Sequence, residues 1–195
     1  MKQDYIENEI FEKNDFATHP LTTGEYENCT FNNCIFSNTN LSNINFYDCK
    51  FSGCDLSMAA LIKTALRNVV FKDCKMIGLR FEDCNPFGLT FSIDNCNVTH
   101  SSFYGCRIKN SIFKNSRLQE VDFTNSDLSN ALFDNCDLDR ATFSNTIMEK
   151  ANLITSFNYA IDPEVNRIKK AIFSLNGLPG LLDKYDIEIG EIGLS

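Results

Sequence analysis

The chain has 195 residues, 43% hydrophobic and 23% charged, with nine Cys, seventeen Phe and no Trp. That length allows one domain or two small ones and suffices to bury a core. A net charge of −8 excludes a basic nucleic-acid binder, and no run approaches the roughly 18 apolar residues that span a membrane.

Residues 1–21 open with a polar, acidic stretch that lacks the basic and apolar regions of a signal peptide. Nine Cys cannot all pair within one chain, so free thiols in the cytoplasm are expected. Phe11, Phe16 and Leu21 recur every five residues, but Glu9, Asn14 and His19 stand two places before them. The segment therefore reads as a weak first coil with an N-terminal arm that caps the end.

From residue 22 the period is continuous. Stepping by five from Tyr26 gives Phe31, Phe36, Leu41, Phe46, Phe51, Leu56, Leu61, Leu66, Phe71, Met76 and Phe81, all large and apolar. Two places before each centre the residues are mostly small and never charged, among them Cys29, Cys34, Cys49, Cys54 and Cys74. Five matches neither the 3.6 of a helix nor the 2 of a strand. A chain that turns a corner every five residues satisfies it, with centre and i−2 residue inside. Four such sides close a square coil of 20 residues, and coils stacked about 4.8 Å apart bond backbone to backbone as a solenoid.

Between Phe81 and Val98 the register jumps by two residues, and Pro86-x-Gly88 marks a turn or bulged coil within a break at 84–97. A kink between two sub-helices and a functional loop are both open. A second run then steps from Val98 through Phe103, Phe113, Phe123, Phe133 and Phe143 to Leu153. Within the two runs, charges 20 apart test the coil length. Asp55–Lys75, Lys63–Asp83, Arg107–Asp127, Lys114–Asp134, Arg117–Asp137 and Glu120–Arg140 are all opposite in sign. Stacked like charges would repel.

After Ser156 the pattern changes. Residues 157–170 read as an excursion from one coil, and Ala171 and Phe173 return to the register. Leu178, Leu181, Leu182 and Tyr185 form the i, i+3, i+4, i+7 stripe of a short amphipathic helix that caps the solenoid or dimerises through it. Ile187-Glu188-Ile189 alternates like an edge strand.

The segments CDLSM (54–58), VDFTN (121–125), SDLSN (126–130), ALFDN (131–135), CDLDR (136–140) and ANLIT (151–155) resemble the pentapeptide-repeat family over about residues 22–156. The resemblance implies an all-β solenoid, a right-handed quadrilateral β-helix, here of about seven 20-residue coils. Cys replaces Ala at many i−2 positions, where it acts as a small hydrophobe. Some members dimerise end to end through a C-terminal element.

No catalytic constellation, cofactor motif or close Cys pair for a metal is found. His100 stands at an outward position. The expected function is a non-enzymatic protein-interaction scaffold without direct nucleic-acid or membrane contact. The resemblance also offers an alternative: a DNA mimic that binds a type II topoisomerase, gyrase or topoisomerase IV, and confers fluoroquinolone resistance. The candidate patch for that role is Glu120, Asp122, Asp127, Asp134, Asp137 and Asp139. Residues 22–156 hold fifteen acids against twelve bases. A duplex as long as seven coils, roughly 34 Å, carries about 20 charges, so net charge alone matches poorly.

Overall fold

The computed structural model describes residues 4–190. It is a parallel β-solenoid with a short C-terminal helix, making about seven turns over residues 22–156 with a further coil at each end. Each coil has four sides, numbered here in chain order. On side one, Asp4–Glu7, Gly24–Glu27, Asn45–Tyr47 and Ala65–Arg67 form a parallel sheet. Side two is a seven-stranded parallel sheet from Ile10–Glu12 to Leu132–Asp134. Sides three and four are ladders of single bridges, such as Asp55↔Lys75 and Asp122↔Thr142.

The five-residue period is a backbone cycle. Residue i+2 turns each corner in the left-handed region, with φ of 50–61° at Asn28, Asn33, Asn125, Asn135 and the other non-glycine corners. Asn tolerates that conformation better than most residues, which explains its abundance. Stacked corners also bond to each other: Asn135 Nδ2 donates to Asn115 Oδ1 at 3.0 Å, and Asn95 Nδ2 to Asp73 Oδ1 at 2.7 Å.

Centres stack into columns along the axis. Phe103, Phe123 and Phe143 lie ring over ring at 5.2 and 5.1 Å, and Phe113 and Phe133 at 4.9 Å. Adjacent columns meet edge to face. The i−2 side chain points at the coil before it. Cys49 and Cys54 donate their thiols to the carbonyls of Tyr26 and Phe31 at 3.2 Å, Thr64 donates to Leu41 at 2.8 Å, and Ser156 to Phe133 at 2.9 Å. Small size plus a donor is what this slot favours, so Cys, Ser and Thr exchange there with Ala. All nine Cys are buried free thiols.

Three readings of the boundaries need correction. Residues 4–16 belong to the expected first coil, which is regular rather than weak: Ile10–Glu12 pairs in register with Thr30–Asn32, and Phe11 and Phe16 stack on Phe31 and Phe36. Glu9, Asn14 and His19 are exposed, because the i−2 slot of a first coil has no coil beneath it.

The register break is narrower than 84–97. Val69 already pairs with Phe91 and Phe71 with Ile93, so the two extra residues fall within 85–90 and Ile93 is a buried centre. Asn85 Oδ1 caps the Phe87 amide at 3.0 Å, and Gly88 takes φ +70°, which a side chain would strain.

The C-terminal excursion spans only residues 158–166, since Phe157 still pairs with Asp137 and Arg167 with Ile147. Tyr159 and Ile161 close over the core, and Asn166 Nδ2 donates to the Phe143 carbonyl at 3.0 Å in the place of an i−2 hydroxyl. The helix is a single turn, Pro179–Leu182, between the 3-10 turns Leu175–Gly177 and Asp183–Tyr185. Of its stripe, Leu181 packs on the core, while Leu178, Leu182 and Tyr185 are exposed. Ile187 and Ile189 are exposed and form no strand.

Candidate interaction surface

With centres and i−2 residues inside, the i−1 and i+1 side chains make up the flat sides. The six candidate acids do not share one side. Asp137, Asp139 and Glu120 lie on side three and its corner, Asp122 on side four, Asp127 on side one and Asp134 on side two. A four-sided coil disperses residues that are close in sequence, because each step of five turns the corner.

Most of these carboxylates are also engaged. Glu120 lies 3.6 Å from Arg140 and 3.2 Å from His100 Nδ1, and Asp139 lies 3.8 Å from Arg140. Asp134 meets Lys114 at 3.8 Å and accepts from the Thr155 hydroxyl at 2.9 Å. Asp137 accepts from Gln119 at 2.7 Å and Asn158 at 2.9 Å. Asp122 accepts from the Thr124 amide at 2.8 Å. Burial pushes Asp127 up, but the Ser129 hydroxyl and amide and the Lys109 ammonium outweigh it and hold the carboxyl below its ordinary value.

The pairs expected at a spacing of 20 are realised in part. Asp55–Lys75, Lys114–Asp134 and Glu120–Arg140 close as ion pairs. Arg107 stacks on Asp127, but Asp127 takes Lys109 at 3.1 Å instead. Lys63 meets Asp83 only through its backbone amide, and Asp83 takes Arg80 at 3.4 Å. Arg117 and Asp137 are bridged neighbours without an ion pair between them.

Two features were not legible as surface in the sequence. Side two carries an apolar column. Val70, Ser92, Ile112, Leu132, Asn152 and Ile172 are successive ladder partners, and Val70, Ile112 and Ile172 are each more than a third exposed, with Ile154 beside them. The break leaves a cleft of about 510 Å³ at the corner between sides four and one, lined mainly by Phe81, Cys84, Phe87, Leu89, Tyr104 and Arg107. Glu82 Oε2 is buried there without a hydrogen-bond partner.

The thiols are poor nucleophiles in this setting. Burial pushes Cys106 up to about 12, with the Glu82 carboxylate adding to it, and burial raises Cys49 to about 12 and Cys34 and Cys136 to about 11. Cys96 moves down instead, because it accepts from Cys74. Among the described residues, no group of three or more His, Cys, Asp or Glu is placed to hold a metal ion, and no helix is long and apolar enough to cross a membrane.

These are the features of a four-sided β-solenoid whose exposed chemistry is confined to flat sides. The sequence matches the family model described as pentapeptide repeat region over residues 25–93 and 90–156, and the chain belongs to that family. No curated protein matches it. Among solved structures, trypsin-treated QnrB1, a plasmid-mediated fluoroquinolone resistance protein, has a TM-score of 0.59 at 17% identity, covering 96% of this chain and 97% of that one. HetL from the cyanobacterium Nostoc sp. strain PCC 7120, a pentapeptide repeat protein involved in heterocyst differentiation regulation, has a TM-score of 0.32 at 16% identity, covering 87% of each chain. At 17% identity the likeness to QnrB1 is one of fold, the right-handed β-helix.

Proposed function

We propose that the chain is a non-enzymatic scaffold that binds a protein partner along its sheet sides. The carrying observation is the column on side two, where exposed Val70, Ile112 and Ile172 and half-buried Leu132 are held in line with Ser92 and Asn152 between them by the ladder at about 4.8 Å per coil. Exposed apolar side chains in line on a rigid sheet mark a surface that another protein covers. The thiols are inside, and many of the exposed acids are tied to bases or amides.

The alternative, a duplex mimic acting on a type II topoisomerase, needs a continuous anionic side. The six acids lie on four sides and several are neutralised in place, which favours the scaffold. An affinity capture comparing the native chain with Ile112→Lys plus Ile154→Lys tests the reading, with folding checked by circular dichroism. Partners retained by the native chain and lost by the variant are expected; an unchanged set of partners overturns it. A gyrase supercoiling assay with a quinolone present tests the alternative. Protection or inhibition by micromolar native protein would favour mimicry over the scaffold.

A further inference from the structure

Side one segregates charge along the rod. Glu7, Glu25, Glu27 and Asp48 occupy its N-terminal half, on the sheet that ends at Arg67. Arg107, Lys150, Lys169 and Lys170 occupy its C-terminal half, along the ladder Arg107↔Asp127↔Ile147↔Arg167. Among the described residues, none of these eight groups makes an ion pair. The acids of the C-terminal half are already used: Asp127 meets Lys109 at 3.1 Å and Glu149 meets Arg167 at 2.6 Å.

The two ends cannot neutralise each other within one chain. Glu7 and Lys169 are eight coils apart, roughly 38 Å, against a screening length of about 8 Å at physiological salt. At the middle of the side lies the 85–90 loop. Phe87 is 76% exposed there, and the Arg67 guanidinium is held between the Tyr47 and Phe87 rings, 5.0 and 5.3 Å from their centroids.

We propose that side one binds a second copy of this chain, turned end for end. A two-fold axis at Phe87 places Glu7 and Glu25 against Lys169, Lys170 and Lys150 of the second copy, and the same contacts recur on the other half. It also brings the two Phe87 rings together at the centre. A parallel pairing would set acid on acid and base on base, so the charge pattern selects the antiparallel arrangement. One side of a coil is narrow, and the association is therefore weak and salt-sensitive. The proposal goes beyond the scaffold reading, because it concerns self-association and stands or falls without a foreign partner.

Sedimentation equilibrium of the full chain at about 0.05 M and about 0.5 M salt tests it, since those conditions bracket the screening length. A dimer at low salt whose dissociation constant rises about tenfold or more at high salt is expected. Two charge-reversal variants, Glu7→Lys with Glu25→Lys and Lys169→Glu with Lys170→Glu, should each be monomeric. An equimolar mixture of the two should form a heterodimer, because each reversed end then meets its opposite. Phe87→Ser, in an exposed loop, should weaken the native dimer without unfolding it. A native chain that stays monomeric at low salt overturns the proposal, as does a mixture that fails to associate. So does a dimer that survives both reversals but is lost in Leu178→Ser with Leu182→Ser, which would place the contact at the C-terminal end.

Discussion

Replacing Phe123 by Ala probes the stacked core where it is most continuous. The ring is fully buried and lies between Phe103 at 5.2 Å and Phe143 at 5.1 Å, with Phe113 and Phe133 edge-on at 5.9 and 5.8 Å. Truncating a buried Phe to Ala costs about 3–5 kcal/mol. Aromatic pairs add about 0.5–1.5 kcal/mol each beyond burial. The site cannot collapse, because ladder bonds such as Phe123 N to Thr142 O at 2.9 Å fix the coil spacing. The cost therefore lies at the upper end, near 5 kcal/mol. Phe123→Leu should cost less, on the order of 2 kcal/mol, because it keeps most of the volume and loses mainly the ring contacts; Leu118, Leu128 and Leu138 are buried centres in neighbouring columns. Urea unfolding measures both. A smaller dependence on urea for the Ala variant would show the two halves of the rod unfolding separately. An Ala cost below about 1 kcal/mol, or equal costs for Ala and Leu, would refute the stacked-column account.

A thiol reagent at pH 8, on the order of the ordinary thiol pKa, should label almost no Cys in the native chain and all nine after denaturation; rapid native labelling of several would contradict their burial. Stability should fall as pH rises above about 8.5, where unfolded thiols ionise. Cys49, Cys74, Cys106 and Tyr26 keep their protons in the folded chain to about 12, so the unfolded state loses protons first. A denaturation midpoint that holds level from about pH 8 to about pH 11 would argue against this linkage. Met58→Asn should raise stability by up to about 1 kcal/mol, because Met58 turns a corner at φ 58° with its side chain 60% exposed; a lower urea midpoint would show that the corner is not strained. Gly180→Ala should loosen the C-terminal turn and expose it to limited proteolysis, because a β-carbon there would meet the Tyr159 carbonyl. An unchanged digestion pattern would show that the turn is not held there.

The sequence made the solenoid readable because inward residues are chosen by volume, and volume repeats every five places wherever a coil lies on a coil. It was least informative where that neighbour is missing or displaced. Glu9, Asn14 and His19 look irregular only because no coil lies below them. Phe91 suits the centre of one register and the i−2 slot of the next, so the start of the second run at Ile93 was hidden. The stripe of Leu178, Leu181, Leu182 and Tyr185 has helical spacing, yet a single turn of helix brings only Leu181 to the core.

What the sequence determined by itself is the coil: its length, its inward residues, and the place of the thiols as small residues within the core. These follow from local spacing alone. What only the tertiary structure decided is which surface residues share a side. Neighbours on a side are about 20 positions apart, and two more across the break, while neighbours in sequence turn the corner onto different sides. The acids between 120 and 139 cluster in the chain and disperse on the rod. Glu7 and Lys169, distant in the chain, lie along one face and give it opposite ends.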